Sequence, residues 1–204
     1  MGAKQTYLAF FDELNVLAKE ITEAYAKGEA TMNEIEEFAE NQMMYGYSLG
    51  WHIGMEDLDT EMDEYEDLLL NSYDKAMDSV FKSIDGVTGI DRLKDHLRNG
   101  DSVGEVRNLL ETEFHRNVCE GTEEMGNTYE QREKSRVSKT WQTMLDNKVR
   151  DTHSYIEGMT VGLNDRFYTF DGDSARFPGD FANAQNNCGC RCVIKLNKRV
   201  NKPE

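Results

Sequence analysis

Apolar side chains recur at helical spacing through most of the first 130 residues, and this periodicity confines that part of the chain to packed helices. Residues 4–27 are the clearest case, with apolar positions at Tyr7, Phe10, Phe11, Leu14, Leu17, Ile21 and Tyr25. Gly28 predicts the end of this helix, because glycine readily adopts the left-handed backbone of a C-terminal cap. Thr31 and Glu34 have the spacing of a capping box and predict a second helix. We therefore expect a helical hairpin or bundle at the front of the chain.

Further helices are predicted downstream. An apolar stripe at helical spacing runs over residues 62–84, and a short helix is expected over 89–98. Ser102 and Glu105 form another capping box, so a helix should begin there and continue raggedly towards residue 134. It is expected to be ragged because two glycines in its second half weaken helical propensity, namely Gly121 and Gly126.

Gly46, Gly50 and Gly54 are spaced four residues apart in the second predicted helix. This spacing places all three on one face and lets another helix approach closely. The neighbouring residues are polar, so we expect a close crossing in water, either within this chain or with a partner helix.

The charge of the chain is unevenly distributed. Residues 1–130 hold 30 acidic and 10 basic residues, a net of −20, whereas residues 131–204 hold 9 and 13, a net of +4. An acidic front should repel nucleic acid and membrane surfaces and could suit a basic protein partner. Eight acids lie within residues 56–67, but Met62 and Leu68 replace the Gly and Glu of a calcium loop. This run therefore predicts a solvated helix face.

The pattern changes near residue 136. Val137, Lys139, Trp141 and Thr143 alternate with their neighbours and predict a strand. After it we expect a short helix over 146–157, extended segments over 159–163 and 166–170, and a final strand over 190–196. The fold class is therefore expected to be α+β. Its predicted parts are an acidic helical region (1–100), a connecting helix (101–135) and a small α+β domain (136–204). Within that domain, the tail from Asn197 is basic and is expected to be loose.

The cysteines suggest a metal site. Cys188, Cys190 and Cys192 crowd into five residues, and an extended segment would project all three to one face. With His153 they would complete a Cys3His zinc set, in which Gly189 supplies the necessary kink. The alternatives are thiols buried in the core of a small domain, or a disulfide. The chain shows no secretory signal, so a reducing compartment is expected.

His153 has two other interpretations. With Asp151 or Glu157 it could form a metal-assisted hydrolase site, or with Arg150 and Asp146 an orienting hydrogen-bond network. The remaining histidines, His52, His96 and His115, are scattered and predict no site. No nucleophile–base motif or phosphate-binding glycine loop is present.

Arg150 and Arg191 could bind phosphates, but a net charge of +4 over residues 131–204 does not indicate tight DNA binding. Each arginine is expected to pair with a carboxylate such as Asp146 or Asp180. Trp141 lies at strand spacing beside Val137 and is expected in the core.

The same region carries an ordered motif, which consists of Trp141, Asp146, Arg150, His153, Gly158, Phe167, Pro178, Gly179, Asp180, Asn187, Cys190, Arg191 and Cys192. In this order the chain resembles the Mu F-like minor head proteins of tailed bacteriophages, the phage head morphogenesis family, over about residues 102–204. Cys188 and Gly189 are inserted relative to the family's Asn-Cys-Arg-Cys pattern.

The resemblance implies a virion component, made in the cytoplasm of the bacterial host, that acts in head assembly or DNA ejection. It implies contacts with the portal or other head proteins and no established catalytic activity, so we expect a structural protein, not an enzyme. DNA contact has weak support, and no membrane contact is expected. The alternative functions are a metal-dependent hydrolase or nuclease-like domain, and a toxin-associated binding module.

Overall fold

The computed structural model describes residues 3–84 and 86–198. The helices are α1 (Ala3–Lys27), α2 (Met32–Asp57), α3 (Met62–Asn71), α4 (Tyr73–Val80), α5 (Gly89–Asn99), α6 (Val103–Glu133), α7 (Asp151–Tyr155) and α8 (Ala184–Asn187). The strands are β1 (Ser83–Ile84), β2 (Val87–Thr88), β3 (Val137–Gln142), β4 (Thr160–Gly162), β5 (Phe167–Tyr168), β6 (Ser174–Ala175) and β7 (Val193–Lys198). A helical front and a small antiparallel back confirm the α+β prediction.

The helix boundaries follow the predicted signals. Gly28 follows α1 with a positive φ of 69°. Thr31 accepts a hydrogen bond from the Glu34 backbone N–H, and the Glu34 carboxylate accepts one from the Thr31 backbone N–H at 2.8 Å. The same reciprocal capping box begins α6. These local contacts satisfy backbone donors that have no partner inside the helix.

The long helices α2 and α6 cross at close range, and this crossing is the centre of the fold. A Cβ atom added to Gly46 would lie 3.0 Å from the Phe114 ring, and one added to Gly54 would lie 2.8 Å from Met125. The glycine face predicted from the sequence therefore packs within the chain.

Two predicted helices differ from the observed ones. The apolar stripe over 62–84 is not one helix, because Ser72 separates α3 from α4 and its hydroxyl donates to the Leu69 carbonyl at 2.7 Å. The β1–β2 hairpin then replaces the expected last turns. Conversely, α6 is not ragged: it continues through Gly121, where a Cβ atom would lie 2.1 Å from the Tyr47 carbonyl oxygen. The glycine is required there by close packing.

The back of the chain is built on a three-stranded antiparallel sheet in the order β4–β3–β7. Trp141 on β3 pairs with Ile194 on β7, and Thr140 pairs with Thr160 on β4. Strand β7 begins at Val193, later than expected, so Cys190 and Cys192 lie in the segment that leads into it. The predicted helix over 146–157 is reduced to α7. Most of the predicted basic tail falls on residues 199–204 and lies outside the described residues.

Helix α6 belongs to both hydrophobic cores. Its first half packs with α1, α2 and α5, through Val106, Leu110, Phe114 and Val118. Its second half packs with α2 and the back sheet, through Cys119, Met125 and Tyr129. Within residues 3–84 and 86–198, no helix has both the length and the apolar character needed to cross a bilayer.

Candidate functional site

The back unit encloses a group of metal-binding side chains. His153 lies on α7, and Cys190 and Cys192 lie between α8 and β7. Their side chains are 1%, 3% and 3% exposed, and one ligand atom of each lies within 4.8 Å of the other two. His153 Nδ1 is 3.3 Å from Cys192 Sγ and 3.6 Å from Cys190 Sγ. We call these three residues the Cys2His cluster.

Cys188, the fourth predicted ligand, is not part of the Cys2His cluster. It caps the end of α8, is exposed, and is followed by Gly189 with a positive φ of 65°. The prediction assumed an extended segment from Cys188 onward, whereas the turn at Gly189 breaks the alternation that would have aligned the three thiols. The backbone carbonyl of Cys188 instead accepts a hydrogen bond from Arg150.

Aromatic rings fix the position of the His153 imidazole. It stacks on Phe181 at a centroid distance of 5.2 Å and meets the edge of Trp141 at 5.4 Å. Trp141 is fully buried, as expected, and also contacts Phe167. His153 Nε2 is buried without a hydrogen-bond partner within the described part of the chain. The polar contacts of this imidazole are therefore made by Nδ1, towards the cysteines.

The two thiols of the Cys2His cluster affect each other. The hydrogen bond between them lowers the pKa of Cys190, and the same bond, together with burial, raises that of Cys192. The Arg150 and Arg191 charges also lower the pKa of Cys190. The two thiols are therefore electrostatically coupled, and the thiolate form is favoured at Cys190 over Cys192.

The motif arginines do not both pair with carboxylates. Arg191 Nη2 donates to both oxygens of Asp146, at 2.9 and 2.8 Å, which agrees with the prediction. Hydrogen bonds from Arg191 and the Lys148 backbone lower the pKa of Asp146. Arg150, by contrast, reaches a carbonyl. Among the described residues, the predicted side-chain network of His153, Arg150 and Asp146 is therefore not observed; His153 and Arg150 are joined through their backbones, where the His153 N–H donates to the Arg150 carbonyl at 3.0 Å.

The Pro178-Gly179-Asp180 loop packs against helix α6. Gly179 has a φ of 94°, and a Cβ atom there would lie 2.9 Å from Arg116 Cβ. Asp180 accepts a hydrogen bond from Lys82 at 2.9 Å and one from the Arg176 backbone at 3.0 Å. Burial alone would raise the pKa of Asp180, but these bonds and the nearby positive charges outweigh it and lower the pKa. This carboxyl group is therefore ionised and structural.

Two further motif residues close the back unit. Asn187 is buried, accepts a hydrogen bond from the Phe181 backbone N–H at 3.1 Å and donates one to the Phe181 carbonyl at 2.7 Å. The Gly158 backbone N–H donates to the Trp141 carbonyl at 2.9 Å, where the chain turns after α7 with a φ of 72°. Both residues hold the loops that carry the aromatic rings around His153.

A buried ion pair beside the site was not predicted. Lys139 on β3 is fully buried, and its ammonium group lies 2.5 Å from Glu123 on α6. Burial lowers the pKa of Lys139 and raises that of Glu123, while their mutual attraction opposes both shifts. Arg176 lies 3.3 Å from the second Glu123 oxygen. The period-2 alternation on β3 already placed Lys139 on the same face as Trp141, which was the signal for a buried cation.

A second buried group was also missed. The Tyr7 hydroxyl lies 2.5 Å from His115 Nδ1, and Cys119 Sγ lies 3.8 Å from His115 Nε2. Burial raises the pKa of both Tyr7 and Cys119. Cys119 is also 4.0 Å from the carbonyl oxygen of Cys192. His115 is therefore not incidental: it lies between α1 and the back unit.

The hydrolase hypothesis required a carboxylate beside His153. Asp151 and Glu157 are both exposed, and the Glu157 carboxylate accepts a hydrogen bond from the Thr143 backbone at 2.5 Å. Because α7 ends at Tyr155, His153 and Glu157 do not share a helix face. Within the described residues, neither carboxylate belongs to the group of potential metal ligands around His153.

Comparison with known proteins identifies relatives of this region. Residues 76–195 match the family described as Phage Mu protein F like protein. Minor head protein GP7 of Bacillus phage SPP1 is 27% identical over 99 residues, which are 48% of this chain and 32% of that protein. The chain thus aligns with about a third of that relative's length. No solved structure gave a significant match.

Proposed function

Since this chain belongs to the Phage Mu protein F like family, we propose that it is a minor head protein, with a structural role in head morphogenesis or DNA ejection. The family match carries this proposal, because residues 76–195 contain all of α6 and most of the back unit. The relative from phage SPP1 bears the name of a minor head protein, which supports the same role. In this role the chain works through contacts with other head proteins, and the portal is the proposed partner.

The acidic segment, residues 56–67, is the proposed contact surface. It joins the end of α2 to the start of α3, and Asp59, Asp63 and Asp67 are exposed there. The segment is anchored to the back unit, because Asp57 accepts a hydrogen bond from the Leu196 backbone N–H at 2.9 Å. A fixed array of negative charge favours encounter with a basic surface on a partner and weakens as salt rises.

The test is co-purification of the untagged chain with the portal of the same phage, at low and at high salt. We expect the two proteins to co-purify at low salt and about tenfold less of the complex at high salt. The protein should also be found by mass spectrometry in purified particles. Absence from particles together with no portal binding at either salt concentration would overturn the proposal.

A matched pair of variants tests the contact surface. The triple variant Asp59→Asn, Asp63→Asn, Asp67→Asn removes three charges from the acidic segment. The control, Glu13→Gln, Glu20→Gln, Glu37→Gln, removes three exposed charges from α1 and α2. We expect only the first variant to lose portal binding. Equal loss in both would show that total charge matters and not the acidic segment.

A further inference from the structure

We propose that His153, Cys190 and Cys192 bind one zinc ion, which fastens α7 to the segment leading into β7. This inference goes beyond the head-protein role and does not depend on it. It begins from the convergence of three soft ligand atoms in the interior of the back unit, each on a side chain that is at most 3% exposed.

The distances in the Cys2His cluster agree with zinc coordination. Zn–S bonds of about 2.3 Å and Zn–N bonds of about 2.0–2.1 Å give a tetrahedral S···N edge of roughly 3.5 Å. The observed distances from His153 Nδ1 are 3.3 Å to Cys192 Sγ and 3.6 Å to Cys190 Sγ. Both S···N distances therefore suit a shared ion, and the two sulfurs lie within 4.8 Å of each other.

The convergence on one nitrogen atom favours a shared ion over hydrogen bonds alone. A neutral imidazole nitrogen has one lone pair in the ring plane and accepts one thiol proton well. Here both sulfurs approach the same atom, Nδ1 of His153. Ligands around a metal ion must all point to one centre, and that geometry accounts for both approaches.

A small cavity lies beside the three ligands. It has a volume of about 10 Å³ and is bordered by His153, Cys190 and Cys192, which is close to the minimum space for one water molecule. We assign the fourth position of the zinc tetrahedron to a water molecule on this side.

The surroundings suit a zinc–dithiolate centre. Two thiolates neutralise Zn²⁺, and three cationic residues border the same cavity, namely Lys148, Arg150 and Arg191. The donor set of two sulfurs and one imidazole selects zinc over calcium or magnesium, which prefer oxygen ligands. The ion would join parts of the chain that lie 37 residues apart in sequence, in a unit whose strands are short.

The experiment uses the full chain, expressed without a tag in zinc-supplemented medium and purified without chelator. Elemental analysis should find about one zinc ion per chain. Titration of the metal-free protein with Co²⁺ should give the visible absorption of a tetrahedral thiolate site. Wild-type protein that contains no zinc and gives no such absorption with cobalt would overturn the proposal.

Four serine variants locate the site. Cys190→Ser and Cys192→Ser should lose the zinc and the cobalt absorption. Cys119→Ser, at a buried thiol outside the cluster, and Cys188→Ser, at the exposed neighbour, should retain both. Loss of metal in either control would contradict the ligand assignment. If a cluster variant does not fold, the cobalt spectrum of the wild-type protein still decides whether the thiolate site exists.

Discussion

Gly50 on α2 and Val118 on α6 lie so close together that a Cβ atom on Gly50 would be 1.9 Å from the Val118 carbonyl oxygen. Because the neighbouring atom belongs to helix backbone, no side chain can rotate away to make room. The close spacing of α2 and α6 therefore requires the absence of a side chain at Gly50, as it does at Gly121 on the facing helix, and both hydrophobic cores depend on that spacing.

Gly50→Ala should destabilise the whole chain. Overpacking costs about 1–3 kcal/mol and more where the backbone must move. We therefore expect the free energy of unfolding, measured with urea, to fall by at least about 3 kcal/mol. The matched control is Gly104→Ala near the start of α6, where the new Cβ would lie 3.7 Å from Ser102 Oγ. It should be neutral or stabilise by up to about 1 kcal/mol. Similar stabilities of the two variants would refute this account of the crossing.

Removing one partner of the Lys139–Glu123 ion pair should lower the free energy of unfolding more than replacing both partners by apolar residues. Glu123→Gln leaves the Lys139 ammonium group in the core and should cost about 3–5 kcal/mol. Lys139→Met should cost less, because Glu123 keeps its contact with Arg176. The double variant Glu123→Leu, Lys139→Met should recover much of the loss. Chemical unfolding of the three variants checks this order, and a double variant worse than either single one would contradict it.

Asp180→Asn should lower stability in a pH-dependent way. The folded protein lowers the pKa of Asp180, so its stabilising effect is present above the ordinary aspartate value of about 3.9 and is lost as pH falls through the folded value. We expect a loss of about 1.5–3 kcal/mol at pH 7 that shrinks in acid. Asp78→Asn, at an exposed position on α4, is the control. A difference from wild type that stays constant down to pH 2 would rule out this electrostatic origin.

The four thiols should differ sharply in reactivity. Cys188 is exposed, whereas Cys119, Cys190 and Cys192 are buried. A water-soluble disulfide reagent should label about one thiol per native chain at once and all four after unfolding. In Cys188→Ser the fast phase should disappear. Rapid labelling of two or more thiols in the native protein would show that the back unit opens readily.

Signals confined to a few neighbouring residues were read correctly from the sequence. The capping boxes at Thr31 and Ser102 and the cap at Gly28 depend on local hydrogen bonds, and their spacing identifies them. The glycine face of α2 was equally visible. What the sequence left open was whether the packing partner of that face lay within the chain, because nothing local encodes it.

Features that depend on distant partners, or on where the chain turns, were misread or missed. Gly121 counts against a helix on propensity alone, but its packing against Tyr47 makes it a requirement of α6. Cys188 was grouped with Cys190 and Cys192 because side chains alternate along an extended segment. The turn at Gly189 interrupts that segment and leaves Cys188 outside the Cys2His cluster. The side on which Lys139 is buried could be predicted, but its counter-charge on Glu123 lies on another element and could not.

The pairing of β3 with β7 has a consequence for synthesis of the protein. Residues 137–142 form the central strand of the sheet, but one of its two neighbours consists of residues 193–198. While the ribosome is still translating the intervening loops, strand β7 does not yet exist, so the sheet that carries Trp141 is incomplete. The helices of the front can meet as they emerge, whereas the back unit must wait for β7. Translation therefore divides the folding of this chain into an early and a late stage, and Trp141, which is fully buried in the finished protein, lacks its β7 neighbour until the late one.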